Sequence, residues 1–285
     1  IGVTLYELLH VGLLEYVPFI ILLLALFTIS GGVRLTGALV GTPIVNLAII
    51  LIGTFLASWM GTTGAAMLLI RPLINANKHR KNIVHIIVFF IFLVANIGGS
   101  LTPLGDPPLF LGFLKGVDFF WTTTAMFVPM LIMIIALSII FYFLDSYYLK
   151  KEDIKVETPQ EKLKLGIEGV FNLGLIVGVI GAVLISGFWK PHISFEVYSG
   201  VHLELQNLTR DILLLILTYI SWTYTPQQIR KDNEYTWFPI IEVAKLFAGI
   251  FVTIIPAIAI LKAGTNGALA GIINAVSSDN GPVNI

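Results

Sequence analysis

The sequence predicts an all-α polytopic membrane protein in which two apolar segments are interrupted near their middle. Of the 285 residues, 56% are hydrophobic and only 12% are charged, and the mean hydropathy is +0.91. Soluble domains are much less apolar, so the composition places most of the chain in a lipid bilayer. The formal net charge is zero, which gives no indication of nucleic-acid binding. The chain has no cysteine, which excludes disulfides and thiolate metal sites.

Residues 1–146 are predicted to form a first structural repeat. A partial or interfacial helix at 1–12 precedes a first membrane helix from Tyr16 to Ser30, which Gly31-Gly32 ends. The other elements of this repeat are a re-entrant hairpin over residues 44–75, a broken helix over 83–115 and a helix over 119–146.

The hairpin is predicted from the length of its two helical segments and from the charges that flank it. Each segment has roughly 12–17 residues, or about 18–25 Å of helix, which is short of the ~30 Å hydrocarbon core. Arg34 precedes the hairpin, and a basic cluster from Arg71 to Lys81 follows it. Because positive charges stay in the cytoplasm, both ends of the hairpin are expected there. Its tip would lie at Gly61–Gly64.

A second interruption lies within the apolar segment 83–115. It contains six residues that cannot continue a regular helix: Gly98, Gly99, Pro103, Gly105, Pro107 and Pro108. In hydrocarbon an unpaired backbone group costs several kcal/mol, so a broken helix persists only against protein or a water-filled cavity. Secondary transporters build their binding sites from such helices. The two interruptions therefore predict a membrane transporter.

The rest of the chain is predicted to form a cytoplasmic loop at 147–167, linking helices at 168–236 and the start of a second repeat at 237–285. Phe238–Leu261 is expected to enter the membrane from the side opposite to Tyr16–Ser30. Both segments follow or contain a glutamate and carry a phenylalanine just before a threonine, which favours an inverted repeat. On this interpretation the second repeat is truncated, since its own hairpin and broken helix would lie beyond the last residue.

Four stretches of sequence carry a resemblance to a known family: Leu14–Phe19, Ala57–Met67, Asn96–Lys115 and Phe238–Gly249. They resemble the ion transporter superfamily, which includes NhaD-type sodium/proton antiporters, arsenite-pump membrane subunits, and citrate and dicarboxylate carriers. The most similar branch comprises bacterial sodium/proton antiporters and citrate-type transporters. The resemblance implies an inverted-repeat fold in which a hairpin tip and an unwound helix hold ion and substrate at mid-membrane. Many relatives have Ser-Asn-Thr at the hairpin tip, whereas this chain has Gly61-Thr62-Thr63.

The candidate ion- or substrate-binding residues lie at the hairpin tip and in the broken helix. They are Gly61, Thr62, Thr63 and Gly64 at the tip, and Asn96, Gly98, Gly99, Ser100, Thr102, Gly105 and Asp106 in the broken helix. Hydroxyl and carbonyl oxygens suit a small hard cation, so a transient Na⁺ is expected near Ser100, Thr102 and Asp106. Alternatively, the Ser and Thr hydroxyls only satisfy backbone groups freed at the break. No permanently bound metal ion and no cofactor are expected.

Asp106 is the only acidic residue in the break. A carboxylate inside the membrane costs ~2.5–3.5 kcal/mol on insertion scales, which points to ion or proton binding. The alternative is an N-cap for a helix that begins at Pro107, which suits the first helical position. The two roles are compatible with each other.

Glu242 and Lys245 are a second candidate for proton coupling, because they lie three residues apart on one predicted helix. The alternative is an ordinary helical contact between two side chains that reach the cytoplasmic interface. The histidines and the basic cluster Lys78–Lys81 are interpreted as solvated or orienting residues.

Sodium/proton antiport is the predicted activity, and a sodium- or proton-coupled carrier of citrate, a dicarboxylate or another anion is the alternative. A remote alternative is an intramembrane aspartyl protease, because Leu104-Gly105-Asp106 is similar to the Gly-x-Gly-Asp motif of that class, although position 103 is proline. The expected partners are the lipid bilayer and the transported Na⁺ and H⁺ or organic anion, and a homodimer is considered. The expected location is the bacterial inner membrane.

Overall fold

A computed structural model describes residues 2–37, 39–152, 166–198 and 200–264, together with 267, 270–271, 277–278 and 281–282. These residues form helices and three small antiparallel strand pairs. The α-helices are α1 Gly2–Val11, α2 Val17–Ser30, α3 Pro43–Met60, α4 Thr62–Ala76, α5 Val84–Phe90, α6 Pro107–Leu114, α7 Trp121–Lys151, α8 Val170–Phe188, α9 Leu205–Tyr224, α10 Gln227–Asp232 and α11 Phe238–Lys262. The strands are β1 Arg34–Thr36, β2 Gly166–Glu168, β3 Ser194–Tyr198, β4 Val201–Glu204, β5 Ser277–Ser278 and β6 Gly281–Pro282.

Six helical segments of the described chain are long and apolar enough to cross a membrane. They are Leu5–Ser30, Pro43–Met60, Val84–Leu101, Trp121–Lys151, Val170–Phe188 and Phe238–Ile260. Helices α7 and α11 expose long rows of apolar side chains, which suits contact with lipid. The all-α polytopic fold predicted from the sequence is therefore confirmed.

The first membrane segment is one continuous helix rather than two pieces. A π-helical turn, Gly12–Tyr16, joins α1 directly to α2, so the partial helix expected at 1–12 is the first part of a longer span. Pro18 follows this π-helical turn by two residues, where the regular i→i−4 bonding of the helix is already interrupted, so its missing N–H does not end the span.

Helices α3 and α4 form a tight helical hairpin joined by the single residue Gly61. The side chain of Thr42 caps α3 by accepting a hydrogen bond from the backbone N–H of Val45 (3.3 Å). The two open ends of the hairpin meet, since the backbone N–H of Gly41 donates to the carbonyl of Ala76 (2.8 Å). Both ends of this hairpin therefore lie at one end of the molecule.

The segment after the hairpin loses its regular helix in stages. Helix α5 widens into a π-helical stretch, Ile91–Asn96, and then tightens into a 3₁₀-helix, Ile97–Leu101. Thr102 is extended (φ −137°, ψ 158°), and the chain becomes helical again only at Pro107, where α6 begins. The predicted break is present in the fold.

A buried polar cluster joins the base of the hairpin to α7. The carboxylate of Asp145 contacts Arg80 Nη2 (2.6 Å) and His85 Nε2 (2.7 Å), and it accepts a hydrogen bond from Asn46 Nδ2 (3.0 Å). Asn46 and Asn77 exchange two further hydrogen bonds (3.0 and 2.7 Å). All five side chains are buried, so the interpretation of Arg80 and His85 as solvated residues is wrong. Asp145 supplies the compensating charge from a distant part of the chain.

Helices α8 and α9 pack against α2 on the other side of the molecule. The amide of Asn172 on α8 donates to the carbonyl of Gly32 (3.0 Å) and accepts a hydrogen bond from Ser221 on α9 (2.6 Å). Strand β1 pairs with β2, in register from Arg34–Glu168 to Thr36–Gly166. The end of the predicted cytoplasmic loop is thus held against the residues that follow α2, while 153–165 lie outside the described residues.

Candidate functional site

The hairpin tip and the helix break meet at a cavity of about 200 Å³. Gly61–Gly64 line it from the hairpin, and Pro103–Pro107 line it from the break. Its remaining wall is apolar and comes from α2 and α11, mainly through Phe19, Leu26 and Phe247. Phe19 packs on Phe247, with 4.6 Å between the ring centroids. The polar groups of the cavity therefore lie on one side only.

The hairpin tip has a backbone conformation that requires glycine. Gly61 has φ +80°, a region that residues with a side chain rarely adopt. The turn directs the first residue of α4 toward the break, where the N–H of Thr62 donates to the carbonyl of Gly105 (3.1 Å). This bond joins the two interruptions directly.

Within the break, the backbone folds back on itself at Gly99 and Gly105. A Cβ atom on Gly99 would lie 2.9 Å from the carbonyl oxygen of Gly105 and 2.8 Å from the Thr62 methyl group. These distances are too short for any side chain at position 99. The two glycines therefore allow the close approach that brings Asp106 to the cavity.

Asp106 is the only ionisable side chain among the described residues that line this cavity. It occupies the N-cap position of α6, yet its carboxylate makes no capping hydrogen bond. The backbone carbonyl of Asp106 accepts the N–H groups of Leu109 (3.1 Å) and Phe110 (3.3 Å) instead. Pro107 and Pro108, at the first two helical positions, have no N–H to offer. The carboxylate is consequently available to a ligand in the cavity.

Two of the predicted oxygen ligands, the hydroxyl of Thr102 and the carbonyl of Gly98, already form hydrogen bonds within the protein. The hydroxyl of Thr102 donates to the carbonyl of Ser58 and accepts the N–H of Leu104 (3.2 Å). The hydroxyl of Ser58 in turn donates to the carbonyl of Gly98. These contacts fasten the break to α3, which is the alternative role that the sequence left open for hydroxyl groups.

Ser100 and Asn96 lie apart from the cavity. The hydroxyl of Ser100 is buried without a hydrogen-bond partner among the described residues, and the side chain of Asn96 is exposed on the π-helical stretch. Thr62 and Thr63 do line the cavity. Of the predicted residues, Gly61–Gly64, Gly105 and Asp106 thus line the cavity, and Gly99 packs against Thr62 and Gly105.

Glu242 and Lys245 lie on α11, one face of which lines the cavity through Pro239, Ile240, Val243 and Phe247. Their own side chains are exposed and do not line it. The geometry does not connect them with Asp106, and their participation in proton coupling stays a prediction.

One comparison with known proteins gives a result. The sequence profile of a protein family described as "Putative citrate transport" matches residues 1–284. The chain belongs to this family. No curated protein and no solved structure shows significant similarity to the chain. The family assignment agrees with the resemblance to citrate-type ion transporters, and with the six candidate spans it identifies a multi-pass membrane transport protein.

The cavity of this transport protein lies between two charged ends. Helix α4 starts at the cavity and reaches Arg71 after about 13 Å, and α6 starts there and reaches Lys115 after about 12 Å. Lys115 pairs with Glu15, which precedes α2, whereas Arg71 donates to the carbonyl of Asp232 (2.6 Å), a residue paired with Arg34 after α2. The two helices therefore run in opposite directions along α2.

The apolar wall of the cavity was not predicted. The sequence identifies α2 and α11 as membrane helices but not as parts of the site, because their residues at the cavity are ordinary Phe and Leu. The only signal was the resemblance of Leu14–Phe19 and Phe238–Gly249 to the ion transporter superfamily, since both stretches contribute cavity residues.

Proposed function

We propose that the chain is a secondary active transporter that exchanges sodium for protons at Asp106, in the bacterial cytoplasmic membrane. The observation that carries this proposal is the Asp106 carboxylate, which is unpaired among the described residues and has no basic side chain in its cavity. An intramembrane carboxylate marks an ion or proton pathway by default. Na⁺ and H⁺ both bind to carboxylate oxygens, so they compete for one site, and alternating access then yields exchange.

The prolines after Asp106 support a cation over an anion. Helix N-termini bind anions through free N–H groups as well as through the helix dipole. At α6 the first two residues are proline, and the N–H groups of Leu109 and Phe110 are bound to Asp106 itself. This helix N-terminus has no free donor for an anion, whereas the carboxylate beside it attracts a cation.

The position of the cavity supports the same proposal. About 13 Å of helix separates it from Arg71 on one side and about 12 Å from Lys115 on the other, which would place it near the middle of a ~30 Å hydrocarbon core. Asp145 does not line the cavity and is bound by Arg80 and His85. The pair of neighbouring aspartates that a protease of the aspartyl class needs is therefore not formed by these two residues.

A second candidate is cation-coupled transport of citrate or a similar organic anion. The N-terminus of α4 also opens into the cavity, through Thr62, Thr63 and Gly64, and the positive end of its dipole suits a carboxylate. The family description favours this substrate. In this version Asp106 holds the coupling ion and the tip of the hairpin faces the anion.

Sodium binding measured at several pH values tests the proposal. With purified full-length protein in detergent, the apparent Kd for Na⁺ should rise about tenfold for each unit by which the pH is lowered, once the pH is below the range in which the carboxylate binds a proton. Uptake of labelled citrate into proteoliposomes, driven by a sodium or proton gradient, tests the second candidate. A sodium affinity that is the same from pH 5 to pH 9 would contradict competition at one carboxylate.

A further inference from the structure

Helix α6 follows Asp106 directly and is loosely packed. It has eight residues, of which Phe110 is buried. Its start is fixed, because Gly105 packs backbone to backbone on Gly99. Its end is less confined, since Gly116 in the following turn has φ +94° and a Cβ atom there would meet nothing within 4 Å. Short elements with few buried side chains are the ones that open locally, which marks α6 as an element able to move.

A vestibule of about 810 Å³ lies at the far end of α6. Phe113 and Lys115 line it from this end of α6, and Arg210 lines it from α9. The vestibule shares no lining residue with the Asp106 cavity. Because the basic cluster at the hairpin base lies at the opposite end of the molecule, the predicted orientation places the vestibule on the outer side of the membrane.

Phe110 lies between the vestibule and the Asp106 cavity. Its side chain lines the Asp106 cavity and has 1% of its surface exposed. The ring stacks on Phe113, with 6.0 Å between the ring centroids, and the guanidinium carbon of Arg210 lies 5.6 Å from the ring centre. Since Phe113 and Arg210 both line the vestibule, one aromatic side chain closes the passage between the two cavities.

On its other side the Asp106 cavity adjoins a groove of about 530 Å³. The cavity and the groove share four lining residues, among them Thr62 and Thr63. The groove extends along α4 to Met67, which also lines a polar cavity with Arg71 near the hairpin base. The Asp106 cavity is thus connected toward the hairpin base and closed toward the vestibule.

An ion pair holds the far end of α6 in place. Lys115 is the C-cap residue of α6, and its ammonium group contacts the carboxylate of Glu15. Glu15 lies in the π-helical turn of the first span and is buried, whereas the Lys115 side chain is 53% exposed. An ion pair with an exposed partner is weak, so this contact can open and close during a transport cycle.

We propose that α6 is a gate between the Asp106 cavity and the vestibule. Phe110 is the barrier of this gate, and the Glu15–Lys115 pair is the latch that keeps it closed. Opening separates Lys115 from Glu15 and moves the Phe110 ring out of the passage, while the start of α6 stays fixed at Gly105. The inference rests on the proposed transport function, because it names the route from the outer side to the ion site. The gate itself can be measured without transport.

Thiol labelling of the cysteine-free chain tests the gate. Thr63→Cys places a reporter in the Asp106 cavity, and Ser194→Cys places one in the vestibule. With a membrane-impermeant methanethiosulfonate on oriented vesicles, Thr63→Cys should react about tenfold more slowly from the vestibule side than from the hairpin-base side. Adding Glu15→Gln should raise the slow rate about fivefold, because the latch is lost. Ser194→Cys should react equally with and without Glu15→Gln, which excludes a purely electrostatic effect on the reagent.

Three further variants test the barrier and the latch separately. Phe110→Ala should raise the slow rate of Thr63→Cys, whereas Phe120→Ala, which removes an exposed ring just after α6, is the matched control and should leave it unchanged. Combining Glu15→Lys with Lys115→Glu should restore slow labelling, because the exchanged charges form the pair again. Lys115→Gln serves in place of Glu15→Gln if that variant does not fold.

Repeating the labelling in Asp106→Asn separates the gate from the proposed exchange. The ratio of the Thr63→Cys rates with and without Glu15→Gln should be the same as in the unchanged protein, because neither the latch nor the barrier includes the Asp106 carboxylate. If sodium exchange fails while this ratio holds, the gate stands. An unchanged labelling rate in Glu15→Gln or in Phe110→Ala would overturn it, as would equally fast labelling of Thr63→Cys from both sides when no other residue is changed.

Discussion

At the scale of single residues, the proposed site depends on what surrounds Asp106 as much as on the carboxylate itself. Two consecutive prolines leave the first two positions of α6 without N–H groups, so neither position can donate a hydrogen bond to the carboxylate or to an anion. Pro107 lines the cavity, whereas Pro108 does not. The two prolines therefore provide a matched pair of variants.

We expect Pro108→Ala to weaken sodium binding about two- to fivefold, because an N-cap carboxylate accepts the N–H of the second helical residue, and this new donor would compete with Na⁺ for Asp106 at ~0.3–1 kcal/mol. Pro107→Ala is the control, since the N–H of the first helical residue does not bond to the N-cap side chain, and it should have the smaller effect. Sodium titrations of both variants at one pH check this. A larger loss in Pro107→Ala than in Pro108→Ala would show that the prolines act by shaping the wall of the cavity rather than by withholding a donor.

The glycines of the break give a second prediction at this scale. Gly105→Ala should lower the thermal stability and abolish transport, because the backbones of Gly99 and Gly105 touch and leave no room for a side chain. Forcing extra atoms into a packed site lowers the folding stability by ~1–3 kcal/mol. Gly112→Ala is the control, since a Cβ there meets nothing nearer than Val117 at 3.7 Å. Melting temperatures in detergent and uptake in proteoliposomes measure both effects. If Gly105→Ala transports normally, the close approach of the two glycines is not needed.

At the scale of elements, the cluster around Asp145 fastens the base of the hairpin to α5 and α7. Asp145→Asn should destabilise the protein by ~3–5 kcal/mol, because it leaves the guanidinium group of Arg80 buried without a counter-charge. Combining it with Arg80→Met should restore part of the stability. Thermal unfolding in detergent compares the two variants. If the double variant were less stable than Asp145→Asn alone, the unpaired charge of Arg80 would not be the cause of the destabilisation.

At the scale of the whole molecule, the contact between Gly41 and Ala76 predicts that the hairpin enters and leaves the membrane on one side. The chain has no cysteine, so single cysteines can be labelled without background. Ile44→Cys and Lys78→Cys, both at exposed positions, should react with a membrane-impermeant maleimide from the cytoplasmic side, and Lys190→Cys from the other. Labelling of Ile44→Cys and Lys78→Cys from opposite sides would mean that the hairpin crosses the membrane.

The sequence predicted the elements of this molecule better than the contacts among them. The helix break and the hairpin follow from local chemistry, namely glycine, proline and the length of apolar runs. The structure has a helical hairpin from Pro43 to Ala76 and a break that ends at Pro107. Asp106 was proposed as a site residue for the same reason, and its role stays a prediction. The burial of Arg80 and His85 depends on Asp145, a partner far along the chain, and no local pattern indicates it.

The most direct test of the central claim is sodium-driven proton movement in proteoliposomes containing full-length Asp106→Asn. Asparagine keeps the size of the side chain and can still occupy the N-cap of α6, so the variant should fold, which its melting temperature would verify. We predict that exchange is lost in Asp106→Asn and retained in Glu242→Gln. Full exchange by Asp106→Asn would contradict the proposal. If exchange were instead lost in Glu242→Gln, Glu242 on α11 would be the residue that carries the proton.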